Sequence, residues 1–262
     1  MKTLDFNLSA STINSFNTCP WAFKQDKILK REPHRFPSVA LVVGQALHKL
    51  LESFYQEKKF RTYDLFQNWE RFFNIEVKAQ NAQGMQYLKF AKATGFTMIK
   101  NWVTMAKENN WLHEAVGIEE PFLMPYNNSR FSINMKGFMD LLIEVHSTLY
   151  VLDWKSGKHD IEKYKKQAII YSWATYKKFN RIEKCVRFVH PSKKENRIVD
   201  VYVTDDDYYL IKNDVELMFD AIESDNFEKH RDEKSCKWCN WVDCEYNTNS
   251  LLKTMIESKS SL

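Results

Sequence analysis

Glycine and proline are scarce, six of each in 262 residues, which excludes flexible spacers and makes one continuous domain the expectation. No apolar run approaches the roughly 20 residues that a membrane-spanning helix needs, and the opening Met1-Lys-Thr-Leu-Asp-Phe-Asn7 lacks the apolar stretch of a secretory leader. A cytoplasmic protein with no membrane association is the expectation. The five cysteines are an odd number, which excludes a fully paired disulfide framework and points to a reducing compartment and to metal ligation. No G-x4-G-K-[ST] phosphate loop occurs, so any nucleotide-driven motor has to be a separate protein. Charge of one sign is lacking too: 38 Lys and Arg against 34 Asp and Glu give a formal +4, which tolerates a polyanionic partner without demanding one.

What the chain does have is core-forming material, 44% hydrophobic and 15% aromatic. Residues 9–20 offer N-cap candidates, a short helix and a proline stop beside Cys19. The prolines in 31–37 mark a loop. From Val42 to Tyr55, apolar residues at 43, 47, 50, 51 and 54 share a helical face, with His48 on its flank one turn after Gly44. Residues 60–112 keep helical periodicity, giving two or three amphipathic helices as an inserted side wall. At Gly117 the pattern changes, and 118–126, 131–145 and 149–154 read as three strands joined by tight turns, an antiparallel meander. A helix from Asp160 to about Phe179, strands at 185–189 and 197–203, and a helix from 205 to about 224 complete a mixed α/β layer fold.

The strand Leu149–Trp154 ends in Asp153 and Lys155. Side chains alternate along a strand, so these two project from one face while Leu152 and Trp154 take the other. An apolar strand places such a pair where a metal, a partner charge or a polar substrate compensates them. Asp140, in the preceding strand, comes within reach of Asp153 by antiparallel pairing. Two carboxylates and the His48 imidazole converging on one spot suit a hard cation such as magnesium or manganese.

Gly44-x3-His48, Gly137-x2-Asp140, Asp153-x-Lys155-Ser-Gly157 and Gln167-x3-Tyr171, in this order from about residue 9 to 246, resemble the successive motifs of the PD-(D/E)XK nucleases, in the RecB-like branch. The resemblance implies a restriction-endonuclease-like core in which His48, Asp140, Asp153 and the Trp154 carbonyl bind the catalytic Mg2+ or Mn2+. Asp140, Asp153 and Lys155 are then the catalytic set, Lys155 orienting water and stabilising the transition state. Gln167 and Tyr171 position the DNA strand or support the lysine. Lys158, Lys163, Lys165 and Lys166 offer a basic face for phosphates or are solvated helix lysines, and the aromatic helices of 60–112 serve as core or as a stacking surface for single-stranded DNA. The activity implied is that of a metal-dependent DNA exonuclease on ends or single strands, in repair, recombination or CRISPR adaptation, with a helicase or recombination protein as partner. The alternative is a catalytically silent DNA-binding or scaffolding protein that keeps the fold.

Cys236, Cys239 and Cys244 form a C-x2-C-x4-C cluster, one ligand short of the four that zinc or an iron–sulfur cluster takes. Cys19, at a helix end, is the fourth candidate, because Cys185 sits inside an apolar strand as a small buried thiol. One cysteine far upstream and three near the C-terminus resembles the staple of AddB-type nucleases and CRISPR-associated RecB-like exonucleases. That resemblance implies a [4Fe-4S] cluster, with zinc as the alternative occupant. The expected layout is a single domain over 1–262: N-terminal helices at 9–59, the insertion at 60–112, the core at 117–224, the cysteine cluster at 230–246 and a tail at 247–262.

Overall fold

The computed structural model describes residues 2–33, 38–156, 160–181, 185–195 and 197–249. Gly157, Lys158, part of the 31–37 loop and most of the expected tail lie outside the described residues. In chain order the elements are β1 (Lys2–Thr3), α1 (Ala10–Thr18), α2 (Pro20–Phe23) running into a π-helical turn (Lys24–Ile28), α3 (Val39–Gln56), α4 (Thr62–Ala79), α5 (Leu88–Glu108), β2 (Gly117–Asn127), β3 (Phe131–Val145), β4 (Thr148–Trp154), α6 (Ile161–Phe179), β5 (Cys185–Val189), β6 (Ile198–Tyr202), α7 (Tyr208–Ser224) and α8 (Glu233–Cys236). The strands make a six-stranded mixed sheet in the order β1-β3-β4-β5-β6, with β2 also paired to β3. This is the expected mixed α/β fold. Among the described residues, no helix is long and apolar enough to cross a membrane.

The chain divides into two compact units. The larger comprises Pro37–Pro125 and Met135–Asp207. Its core joins α3, α4 and α5 to one face of the sheet: Leu47, Trp69, Phe73, Ile99 and Trp102 pack with Leu141, Ile143, Leu152 and Trp154. Trp102 meets Trp154 edge-on at 5.9 Å, which anchors the end of β4 to the helical wall. The wall therefore shares the core of the sheet that carries the motifs. The α4–α5 pair is tight because Gly95 is bare; a Cβ there would lie 1.9 Å from the Trp69 ring.

The smaller unit comprises Met1–Phe36, Tyr126–Asn134 and Tyr208–Leu262. There β1 pairs in parallel with the start of β3, and α1 packs on α7. The two ends of the chain are joined in it by ordinary contacts. The Trp21 amide donates to the Glu228 carbonyl at 3.0 Å, Trp21 stands edge-on to Trp241 at 6.4 Å, and Arg31 pairs with Asp243 at 2.8 Å.

Candidate active site

Strands β3 and β4 are antiparallel with Leu141 opposite Leu152, so one step further the register sets Asp140 opposite Asp153. Strand β5 runs parallel to β4, with Trp154 paired to Val189, and the Lys155 amide extends the ladder by donating to the Val189 carbonyl at 2.8 Å. A parallel pair needs a crossover, and α6 supplies it, starting from the Asp160 N-cap. Asp153 and Lys155 thus leave the carboxyl end of a central strand, where open α/β sheets place their ligands. Gln167 and Tyr171, four apart and so on one face of α6, come back over them.

These four side chains form one network. Lys155 Nζ lies 2.5 Å from Asp153 Oδ1 and donates to Gln167 Oε1 at 2.9 Å. The Gln167 amide donates to Asp153 Oδ2 at 2.7 Å and to the Tyr171 hydroxyl at 2.6 Å, and that hydroxyl donates to Asp153 Oδ2 at 3.0 Å. Burial, with the Asp153 charge beside it, pushes the Tyr171 phenol well up, so it stays protonated and a donor. Tyr171 is 5% exposed, and its hydroxyl and the Gln167 side chain both bond within this carboxylate–lysine network. The lysine is further seated over the stacked rings of Tyr164 and Phe188.

His48, one turn after Gly44 on α3, reaches the same strand end. A Cβ on Gly44 would stand 2.6 Å from Ser156 Oγ, so the bare position lets α3 approach the segment that follows β4. His48 Nε2 donates to the Trp154 carbonyl at 2.9 Å, and Nδ1 lies 3.4 Å from Asp140 Oδ2. A carbonyl can only accept, so the proton sits on Nε2. Burial lowers the pKa of this imidazole, and the neutral ring turns its Nδ1 lone pair toward a carboxylate oxygen. The Trp154 carbonyl, expected as a metal ligand, spends one lone pair on this bond; the Trp154 amide donates to Asp140 Oδ2 at 2.8 Å.

Sequence reasoning missed Glu119. Ligand atoms of His48, Glu119 and Asp140 all lie within 4.8 Å of one another. Asp153 is not in that trio; its carboxylate is held by the lysine, glutamine and tyrosine. Glu119 has φ 44°, a left-handed conformation inside β2 that costs a non-glycine residue on the order of 1–3 kcal/mol. The signal in the sequence was the pair Glu119-Glu120 opening the strand, but alternation does not tell which acid serves the site; Glu120 pairs with Lys178.

Burial raises the Asp140 carboxyl well above its usual range, with the charges of Asp153 and Glu119 adding to it, and Glu119 is raised by burial, Glu52 and Asp153. Asp153 Oδ1 is buried and meets the Lys155 ammonium at 2.5 Å as an ion pair. Crowded acids and an imidazole lone pair facing one of them make a donor set that fits a hard divalent cation.

The family model of the PD-(D/E)XK nuclease superfamily matches residues 7–244. The chain belongs to this superfamily. Among solved structures, a protein of Eubacterium rectale provisionally named an exonuclease superposes with a TM-score of 0.51 at 12% identity, covering 93% of this chain and 88% of that one. The crystal structure of SSO0001 gives a TM-score of 0.45 at 13% identity, covering 94% and 89% of the two chains. No curated protein matches the chain.

The cysteines of this nuclease do not gather at zinc spacing. All five are free thiols, and among the described residues no group of three ligand atoms within 4.8 Å includes a cysteine. Thiolates on one zinc, at about 2.3 Å each, stand about 3.8 Å apart, so the zinc alternative is not met. Cys236 Sγ is turned instead to the His230 carbonyl at 3.8 Å. The iron–sulfur expectation gains no support from this placement.

Of the four lysines expected to offer a basic face on α6, two are seen in ion pairs. Lys163 pairs with Asp160 at 3.1 Å, and Lys165 pairs with Asp207 at 2.6 Å while donating to the Tyr202 carbonyl. These ammonium groups are spent within the nuclease. In the helical wall, Trp69 and Trp102 are core, whereas Tyr63, Tyr87 and Phe90 are exposed.

Proposed function

We propose that this protein is a magnesium- or manganese-dependent deoxyribonuclease of the RecB-like branch that works as an exonuclease on DNA ends or single strands, in repair, recombination or CRISPR adaptation. The observation that carries the reading is the meeting of the His48, Glu119 and Asp140 donors with the Asp153–Lys155 pair at one strand end. His48, Glu119, Asp140 and Asp153 would hold the ion, which when bound supplies Lewis-acid stabilisation of the phosphoryl charge. Lys155 sets its ammonium against the phosphoryl oxygens as negative charge builds on them. Gln167 holds both that ammonium and the Asp153 carboxylate, and Tyr171 holds the carboxylate from its other side. The exonuclease mode draws on the name of the Eubacterium rectale protein and on the motif order.

Asp153→Asn and Lys155→Ala are expected to abolish manganese-dependent cleavage of end-labelled DNA in protein that remains folded at the assay temperature. Cleavage retained by both variants removes the mechanism. Label released from one terminus at a time distinguishes exonucleolytic from internal cutting.

A separable part of the proposal assigns Cys19, Cys236, Cys239 and Cys244 to a [4Fe-4S] cluster. Its support is the C-x2-C-x4-C spacing and the common unit that holds all four. Protein purified without oxygen should carry iron and acid-labile sulfide, and Cys236→Ala should lose both. Iron-free protein ends this part and leaves the nuclease reading standing.

A further inference from the structure

The turn between β5 and β6 leaves the sheet at the edge where the proposed chemistry sits. Because β4 and β5 are parallel and the Lys155 amide bonds to Val189, the segment from His190 to Arg197 departs beside Lys155. It is a held turn. The His190 amide donates to the Arg197 carbonyl at 2.6 Å and the Lys193 amide to the His190 carbonyl at 3.1 Å. Arg197 Nε donates to the Lys193 carbonyl at 3.0 Å, and Asn101 of α5 donates to the Pro191 carbonyl at 2.8 Å. On this frame Lys193, Lys194 and Arg197 stand against a single acid, Glu195, and Lys194 is exposed. Among the described residues Lys193 and Lys194 form no ion pair, in contrast to Lys163 and Lys165 of α6.

Two ammonium groups that form no ion pair among the described residues suit a polyanion whose charges are evenly spaced. We propose that Lys193 and Lys194 grip the phosphates of the DNA strand fed to Lys155, without reading its bases. This rests on the nuclease reading and adds to it a second contact point on the same strand. Four extended residues from Val189 to Lys193 span at most about 14 Å. At about 3.4 Å of rise per nucleotide, the grip falls within roughly four nucleotides of the cut. Lysines deliver charge there without the planar fork that reads base edges, so the contact is indifferent to sequence.

The test uses the full chain and a fluorescein-labelled oligothymidylate of about 20 nucleotides, with binding followed by anisotropy without added metal across a salt series and cleavage followed with manganese. Each phosphate contact to a single strand contributes about −0.7 to the slope of log K against log[salt], so Lys193→Ala/Lys194→Ala should flatten it by about 1.4. In cleavage KM should rise while kcat at saturating DNA holds. Glu195→Lys should steepen the slope and tighten binding, a sign reversal that a merely structural turn does not give. An unchanged slope in both variants, with wild-type protein binding and cutting DNA, overturns the grip and leaves the nuclease reading intact. Wild-type protein that neither binds nor cuts overturns both.

Discussion

Gln167 stands between Lys155 and Asp153, accepting from the ammonium at 2.9 Å through its carbonyl oxygen and donating to the carboxylate at 2.7 Å through its amide. A single neutral side chain thus bonds to both members of an ion pair and fixes the orientation of each. Gln167→Glu keeps the acceptor, loses the donor and adds a negative charge beside Asp153. Losing a partner that orients a working group costs activity by about 10–100-fold. The expected result is a kcat lowered by that factor at saturating DNA and manganese in protein that stays folded, with the melting temperature lowered by the added charge beside Asp153; an unchanged kcat would falsify the positioning role.

The same network is braced from the far side of β3. A Cβ on Gly137 would stand 2.6 Å from the Phe122 ring, and that ring meets Tyr171 edge-on at 6.1 Å. The missing side chain lets Phe122 lie over the strand and press on the tyrosine that holds Asp153. An aromatic ring does not yield to an inserted methyl, and overpacking of this kind costs about 1–3 kcal/mol. Gly137→Ala should lower the melting temperature by about 2–4 °C per kcal/mol and reduce cleavage along with it. Thermal melts with and without Phe122→Leu check the cause, since the smaller side chain should recover part of the loss.

Much of this site is legible in the sequence, because period-two and period-3.6 patterns fix which residues share a face. Asp153 with Lys155, Gln167 with Tyr171, and Asp140 against Asp153 all follow from them. Glu119 does not, since a positive φ inside a strand breaks the alternation on which the reading depends. The lysines of α6 mislead for another reason: a count of charges does not distinguish an ammonium bound to Asp207 from one left open on a turn. The cysteine spacing shows which thiols the chain brings into one unit, but the direction of each sulfur is set by packing, as Cys236 and the His230 carbonyl illustrate.

Crowding of carboxylates should make the site a stability cost when no cation is bound. The Asp140 carboxylate is buried, and the charges of Asp153 and Glu119 both act on it. Asp140→Asn removes one charge at nearly constant volume. In a chelating buffer this variant should melt above wild type by several degrees, on the order of 2 kcal/mol at about 2–4 °C each. Added manganese should raise the wild-type melting temperature by mass action and leave the variant almost unmoved. Equal manganese shifts in the two proteins would remove Asp140 from the ligand set.

Gly44 and Ser156 offer a test of how α3 is set against the strand end. The serine hydroxyl occupies the space where a Cβ on Gly44 would sit, 2.6 Å away, with the serine Cβ at 3.3 Å. A hydroxyl rotates, so Gly44→Ala should be tolerated with a small loss, whereas the branched side chain of Gly44→Val has to push α3 outward. His48 is one turn further along, and its bond to the Trp154 carbonyl is 2.9 Å long, so a displacement of even half an ångström lengthens it toward breaking. Gly44→Val should therefore lose cleavage more than stability, with a weakened response to manganese because the imidazole no longer faces Asp140. Ser156→Gly vacates the same space from the other side. In the double variant Gly44→Val/Ser156→Gly, activity should return in part, and the coupling between the two positions, read as a double-mutant cycle on kcat/KM, should be about 1 kcal/mol or more. Additive losses would mean that the glycine serves something other than this close approach.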